Sequence, residues 1–219
     1  MADGSPAPSS RQAPRGPAVS DSCKAGMILA LARTAFIEKG FDGASMQDLA
    51  RAAGMSAGNF YRYFPSKAAL IEAMIDRDVC EIEQEFQKIA AAPDPLAALK
   101  AGFREHMAAT CQDHDEDALW AEISAAAARK PEVAQALQRM EDSITTRIAH
   151  ALALICGMPK AEAVRHFGTH ARAVFLIIHG VMTGNRPDGA NDADLIALIM
   201  RTIDWVLDDA VADRKDCLT

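Results

Sequence analysis

Apolar residues recur along this chain every three or four positions rather than at every second one, a spacing that predicts helices and no sheet. Ile28, Leu31, Ala32, Ala35 and Phe36 form one face of a first helix over about 21–39, and Gly40 ends it. Met46, Leu49, Ala50 and Ala53 mark a short second helix, stopped at Gly54, with Met55 as an apolar plug in the turn. A third short helix runs over about 57–63, with Phe60 and Phe64 facing inward and Pro65 closing it. A long fourth helix carries Leu70, Ile71, Met74, Ile75, Val79, Ile82, Phe86 and Ile89 up to about Ala91, where Pro93 and Pro95 follow. The pattern then predicts helices over about 95–111, around Leu119 to Ile123, and over 131–155, 160–183 and 192–212. The expectation is an all-α chain of about nine helices.

The densest local signals lie between Ser45 and Lys67. Ser45 and Asp48 have the spacing of a capping box, and Ser56 and Ser66 can cap the next two helices. Two short helices joined by a tight turn containing glycine make a helix-turn-helix. The second of them starts small, with Ala57 and Gly58, and continues with Asn59, Tyr61, Arg62 and Tyr63. Small residues let a helix end approach another surface, and the polar side chains can donate hydrogen bonds to phosphates or base edges. Lys67 sits in the first turn of the following helix, where a cation opposes the dipole, so a nearby phosphate is the expected reason for it.

The run Gly40-Phe41-Asp42-Gly43-Ala44-Ser45, with Asp48-Leu49-Ala50, Ala53-Gly54-Met55-Ser56, Gly58-Asn59-Phe60-Tyr61-Arg62-Tyr63-Phe64 and Ser66-Lys67, resembles the DNA-binding domain of the TetR/AcrR family of transcriptional regulators. The resemblance spans about Lys24 to Ile75, and a looser one to the family's sensing domain lies at Leu119-Trp120-Ala121-Glu122 and Lys130-Pro131-Glu132-Val133. It implies DNA contact by Ser45, Gln47, Ala57, Gly58, Asn59, Tyr61, Arg62, Tyr63 and Lys67. Asn59 departs from the pattern, since a hydroxyl residue is common there in the family. The resemblance also implies that the fourth helix links a three-helix head to a sensing and dimerisation body.

On this reading a tail covers 1–21, the head 22–67, the helical body 68–213 and a second tail 214–219. The last two long helices are apolar around more than one face, which calls for a second partner. A homodimer through a four-helix interface supplies it, with Phe167, His170, Val174, Ile178, Leu195, Ile199, Ile203 and Val206 as its expected residues. A pocket for a small-molecule effector, apolar or aromatic, is expected among Phe103, His106, Met107, Trp120, Ile123, Met140, Ile144 and Phe175.

Charge refines this picture. The chain of 219 residues carries a formal charge of −7, which alone argues against nucleic acid. Residues 1–67 hold eight Lys/Arg against five Asp/Glu, so a head of +3 sits on a body of −10. Five scattered cysteines without a Cys-x-x-Cys pair suit reduced thiols in a cytoplasm. No apolar run approaches the ~20 residues of a membrane span, and no signal-peptide pattern is read. No nucleophile elbow, P-loop or His-Glu-x-x-His is present, so no enzyme and no cofactor are expected. His166 and His170, four apart, and the acidic stretch Gln112–Asp117 each lack the companions of a metal site. The expected function is a ligand-responsive repressor acting on a palindromic double-stranded operator. The alternative is a helical small-molecule-binding or interaction protein whose helix-turn-helix is vestigial.

Overall fold

A computed structural model describes residues 21–110, 114–183 and 192–217. Nine α-helices make up these residues: α1 (Asp21–Gly43), α2 (Met46–Ala52), α3 (Ala57–Tyr63), α4 (Lys67–Ala90), α5 (Pro95–Thr110), α6 (His114–Ala127), α7 (Pro131–Ile155), α8 (Ala163–Thr183) and α9 (Asp192–Cys217). A short 3₁₀ turn, Lys160–Glu162, leads into α8. The tail 1–21 lies almost entirely outside the described residues, as does the stretch 184–191 between α8 and α9.

The punctuation read from sequence is present at atomic detail. Ser45 Oγ accepts the Asp48 amide at 3.1 Å, Ser56 Oγ the Asn59 amide at 3.3 Å, and Ser66 Oγ the Ala69 amide at 3.1 Å. Each bond satisfies a donor that a helix start leaves without a partner. Gly54 has φ 64°, and around it the Gly54 and Met55 amides return to the Arg51 and Ala50 carbonyls. These are the paired bonds of a Schellman cap, which needs the left-handed conformation that glycine adopts without strain. Two boundaries differ from expectation. α6 starts at His114, ahead of the stretch around Leu119 to Ile123 that the pattern marked, and the acidic Asp115–Asp117 fall at its start, where negative charge suits the dipole. α9 continues to Cys217 instead of fraying after Asp213.

α7 organises the body. Val133, Ala136, Met140, Ile148 and Leu152 run down one of its sides and are buried. It packs along α4 on one flank and along α8 on the other. α9 closes on α8, and ion pairs from α5 tie it down: Lys100 Nζ lies 2.5 Å from Asp208, and Arg104 pairs with Asp204.

The apolar core does not follow the expected division at residue 67. One cluster joins Ile28, Phe36, Leu49 and Phe60 of the head to Leu70, Trp120, Ile123, Met140 and Phe175 of the body. A second lies wholly in the body, around Leu99, Met107, Leu152, Phe167, Val174 and Ile203. The head therefore shares its interior with α6, α7 and α8.

Candidate nucleic-acid interface

α3 is held from behind by Phe60, 1% exposed, and Phe64, 7% exposed. Two anchors four residues apart fix the helix about its axis and leave Ala57, Gly58, Asn59, Tyr61 and Arg62 exposed on the outer side. Gly58 has no positive φ, and a Cβ built on it meets nothing within 4 Å. A glycine inside a helix costs about 1 kcal/mol relative to alanine. Among the described residues nothing packs against this position.

The polar groups around it divide in two. Asn59 and Tyr61 present exposed donors. The Arg62 guanidinium lies 5.4 Å from the Tyr63 ring centre, which steers the cation along the helix flank. Tyr63 is half-buried and packs against the head core. Ser45 and Gln47 at the start of α2 are exposed. Ser45 Oγ also donates to Asp48 Oδ2 at 2.6 Å, and this bond, with Arg51 nearby, holds the Asp48 carboxyl below its usual value.

Lys67 has partners the sequence did not suggest. Its Nζ donates to the carbonyls of Phe41 at 2.6 Å and Asp42 at 3.3 Å. The same ammonium lies 4.7 Å from the Phe41 ring centre. Partial burial lowers its pKa, opposed by Asp42. A cation at this helix start is thus explained by the α1–α2 corner, where a phosphate was expected.

The expected effector and dimer residues fall into two different settings. Phe103 and Met107 pack in the body cluster, while Trp120, Ile123, Met140 and Phe175 belong to the shared cluster. Ile144 is half-buried against both, and His106 is exposed. Two concavities of the described surface lie elsewhere, one of about 190 Å³ between α1 and α2 and one of about 510 Å³ along α8.

Of the dimer set, Phe167, Val174, Ile178, Ile203 and Val206 are buried within the subunit, and His170 and Ile199 are half-buried. The α8–α9 packing inside one chain consumes them. Leu195 of the expected set is exposed, and with Val164 and Leu176 on α8 and Leu198 and Trp205 on α9 it forms an outward set of large apolar side chains. Trp205 is 65% exposed, and the 510 Å³ concavity is lined by Val164, Gly168, Thr169, Arg172, Ala173 and Leu176.

His166 lies 3.6 Å from Glu162, and His170 lies 3.3 Å from Asp209. Among the described residues no three His, Cys, Asp or Glu side chains gather as a metal would require, and no helix is long and apolar enough to cross a membrane.

Comparison with known proteins agrees with this geometry. A family model described as bacterial regulatory proteins, tetR family, matches residues 28–74. The HTH-type transcriptional regulator UidR of Escherichia coli K12 is 32% identical over 127 residues, 56% of this chain and 61% of that protein. The chain thus spans less than two thirds of that relative. The HTH-type transcriptional regulator EthR of Mycobacterium tuberculosis is 38% identical over 66 residues, 30% of this chain and 31% of that one. The solved structure of Salmonella enterica GusR superposes with a TM-score of 0.64 at 26% identity, covering 89% of this chain and 98% of that one. Residues 28–74 thus carry the helix-turn-helix domain described by the tetR family model, and the fold is shared with Salmonella enterica GusR over most of the length of both chains.

Proposed function

We propose that this protein is a homodimeric transcriptional repressor released from a palindromic operator by a small molecule. The observation that carries the reading is the outer face of α3, where Gly58 leaves room that no packing inside the chain explains. Two copies of α3 enter successive major grooves, with half-sites about one turn (~34–36 Å) or somewhat more apart. Asn59 and Tyr61 read or align the bases, Arg62 and the start of α2 with Ser45 and Gln47 follow the backbone, and Lys67 acts through the corner it holds. The positive balance of the head steers the encounter against the negative body.

The partner copy covers the stripe of Val164, Leu176, Leu195, Leu198 and Trp205, a set supported by its exposure and its continuity across α8 and α9. The effector, apolar or aromatic, enters by rearranging the packing around Trp120, Ile123, Met140 and Phe175, since these residues are closed on one another without it. To release DNA about tenfold, it must favour the non-binding arrangement by about 1.4 kcal/mol.

The test is fluorescence anisotropy with duplexes selected from a random pool, at two salt concentrations and against a scrambled sequence. Specific binding that weakens with salt supports the regulator. Equal binding to both duplexes would leave the vestigial-head alternative standing.

A further inference from the structure

The corner Gly40–Asp42 is gripped from the body. At Gly40 the backbone leaves the helix, with φ 71° and ψ 165°, so the Phe41 amide has no carbonyl one turn back to bond. Glu122 of α6, 81 residues on in sequence, accepts that amide through Oε2 at 3.0 Å. The same oxygen lies 3.1 Å from where a Cβ on Gly40 would stand, so the carboxylate fits closely over the glycine. Just past the end of α6, Arg129 pairs with Asp42 at 3.0 Å. From the other side, Lys67 binds the Phe41 and Asp42 carbonyls. Phe41 itself is buried and leans on Phe36 with ring centres 5.5 Å apart.

Glu122 lies between Trp120 and Ile123, both closed into the shared core. The next residue after Ile123, Ser124, has a buried hydroxyl with no hydrogen-bond partner among the described residues. Glu122 thus ties α6 to the head through one directional bond to a single amide.

We infer that Glu122 is a positioning residue for DNA binding: its carboxylate, seconded by Arg129, sets the orientation of the head. This inference rests on the regulator reading above. Its consequence is a preference for one half-site spacing that depends on a side chain far from DNA.

Glu122→Ala, Glu122→Gln and Arg129→Ala are compared with the full-length parent protein by thermal unfolding, by hydrogen exchange of the amides in 40–44, and by affinity for duplexes whose selected half-sites are moved by about one or two base pairs. In Glu122→Ala the Phe41 amide exchanges about tenfold faster or more, and the spacing preference flattens. Glu122→Gln, which keeps an acceptor oxygen, retains both, and the more exposed Arg129→Ala weakens the preference without unfolding the chain. Loss of stability alone would lower affinity equally at every spacing. An unchanged spacing preference in both alanine variants overturns the inference. If the parent selects no operator, the regulator reading falls. The exchange arm then decides separately, because a Phe41 amide as protected in Glu122→Ala as in the parent removes the latch itself.

Discussion

The Lys67 ammonium lies 2.6 Å from the Phe41 carbonyl oxygen and 4.7 Å from the centre of the same residue's ring. One cation thereby fixes a buried aromatic by both its backbone and its face, and the α1–α2 corner hangs on the start of α4. Replacing Lys67 with Met keeps the aliphatic stem and removes the charge. The expected loss is about 1–2 kcal/mol in urea unfolding, the net worth of charge-assisted bonds at a partly exposed site. Operator affinity falls with it, while the slope of log affinity against log salt stays as in the parent. If Lys67 neutralised a phosphate, its removal would instead make that slope shallower by about 0.9.

Gly58 offers the opposite dissociation of effects. Gly58→Leu adds a side chain where nothing stands within 4 Å, in a helix that gains about 1 kcal/mol from losing glycine. The melting temperature is expected to hold or rise, and operator affinity to fall about tenfold or more. Parallel circular-dichroism melts and anisotropy titrations read both. A stable variant that binds DNA normally would mean that α3 does not approach the groove by this end.

Exposure separates two neighbouring residues of α9 for the dimer. Trp205→Glu places charge on an outward side chain that is 65% exposed in the single chain. It should yield a folded monomer in sedimentation velocity. Ile203→Glu buries a charge at a position with no exposure and should abolish folding. A Trp205→Glu protein that remains dimeric would move the interface off this stripe.

His179 gives a pH dependence with a definite sign. It is half-buried and stacks on Phe175 with ring centres 5.4 Å apart. Burial pushes its imidazole below the usual 6.5, with Glu141 opposing. His150 is lowered too, by burial and then by Lys160 and Arg147. Between the lowered folded value and 6.5 the unfolded chain binds more protons, so stability increases with pH across that window. Melting temperature should therefore fall between about pH 7 and about pH 5.5, and less steeply in His179→Phe. An identical slope in the variant would assign the effect elsewhere.

What could be read in advance was local. Ser45, Ser56, Ser66 and Gly54 act on backbone within a few residues, so sequence alone places them. The outward stripe was only partly legible, through Leu195, because α8 and α9 are apolar on two sides. Periodicity finds both sides but does not say which one faces inward, and the inner set of Phe167, Val174 and Ile203 carries the same signal as the outer. Trp205, large and with Arg201, Thr202, Asp208 and Asp209 three and four positions away, was the available clue. Glu122 was missed for another reason. Its partner, the Phe41 amide, lies 81 residues away, and its one local sign is a carboxylate between two apolar residues on an alanine-rich helix. Lys67 misled because its place in a helix start looks unfavourable until the carbonyls above it are seen.

The interior shared by Phe36, Phe60, Trp120 and Met140 bears on how such proteins can be recombined. A reader helix looks like an exchangeable cartridge, yet cutting after Lys67 would strip Ile28 and Phe36 of the α4 and α6 side chains that pack against α1. Chimaeras that graft a foreign head onto this body should keep the matching faces of α6 and early α7, or move them together with the head. Specificity for a new operator is better sought by altering residues 57–62 in place.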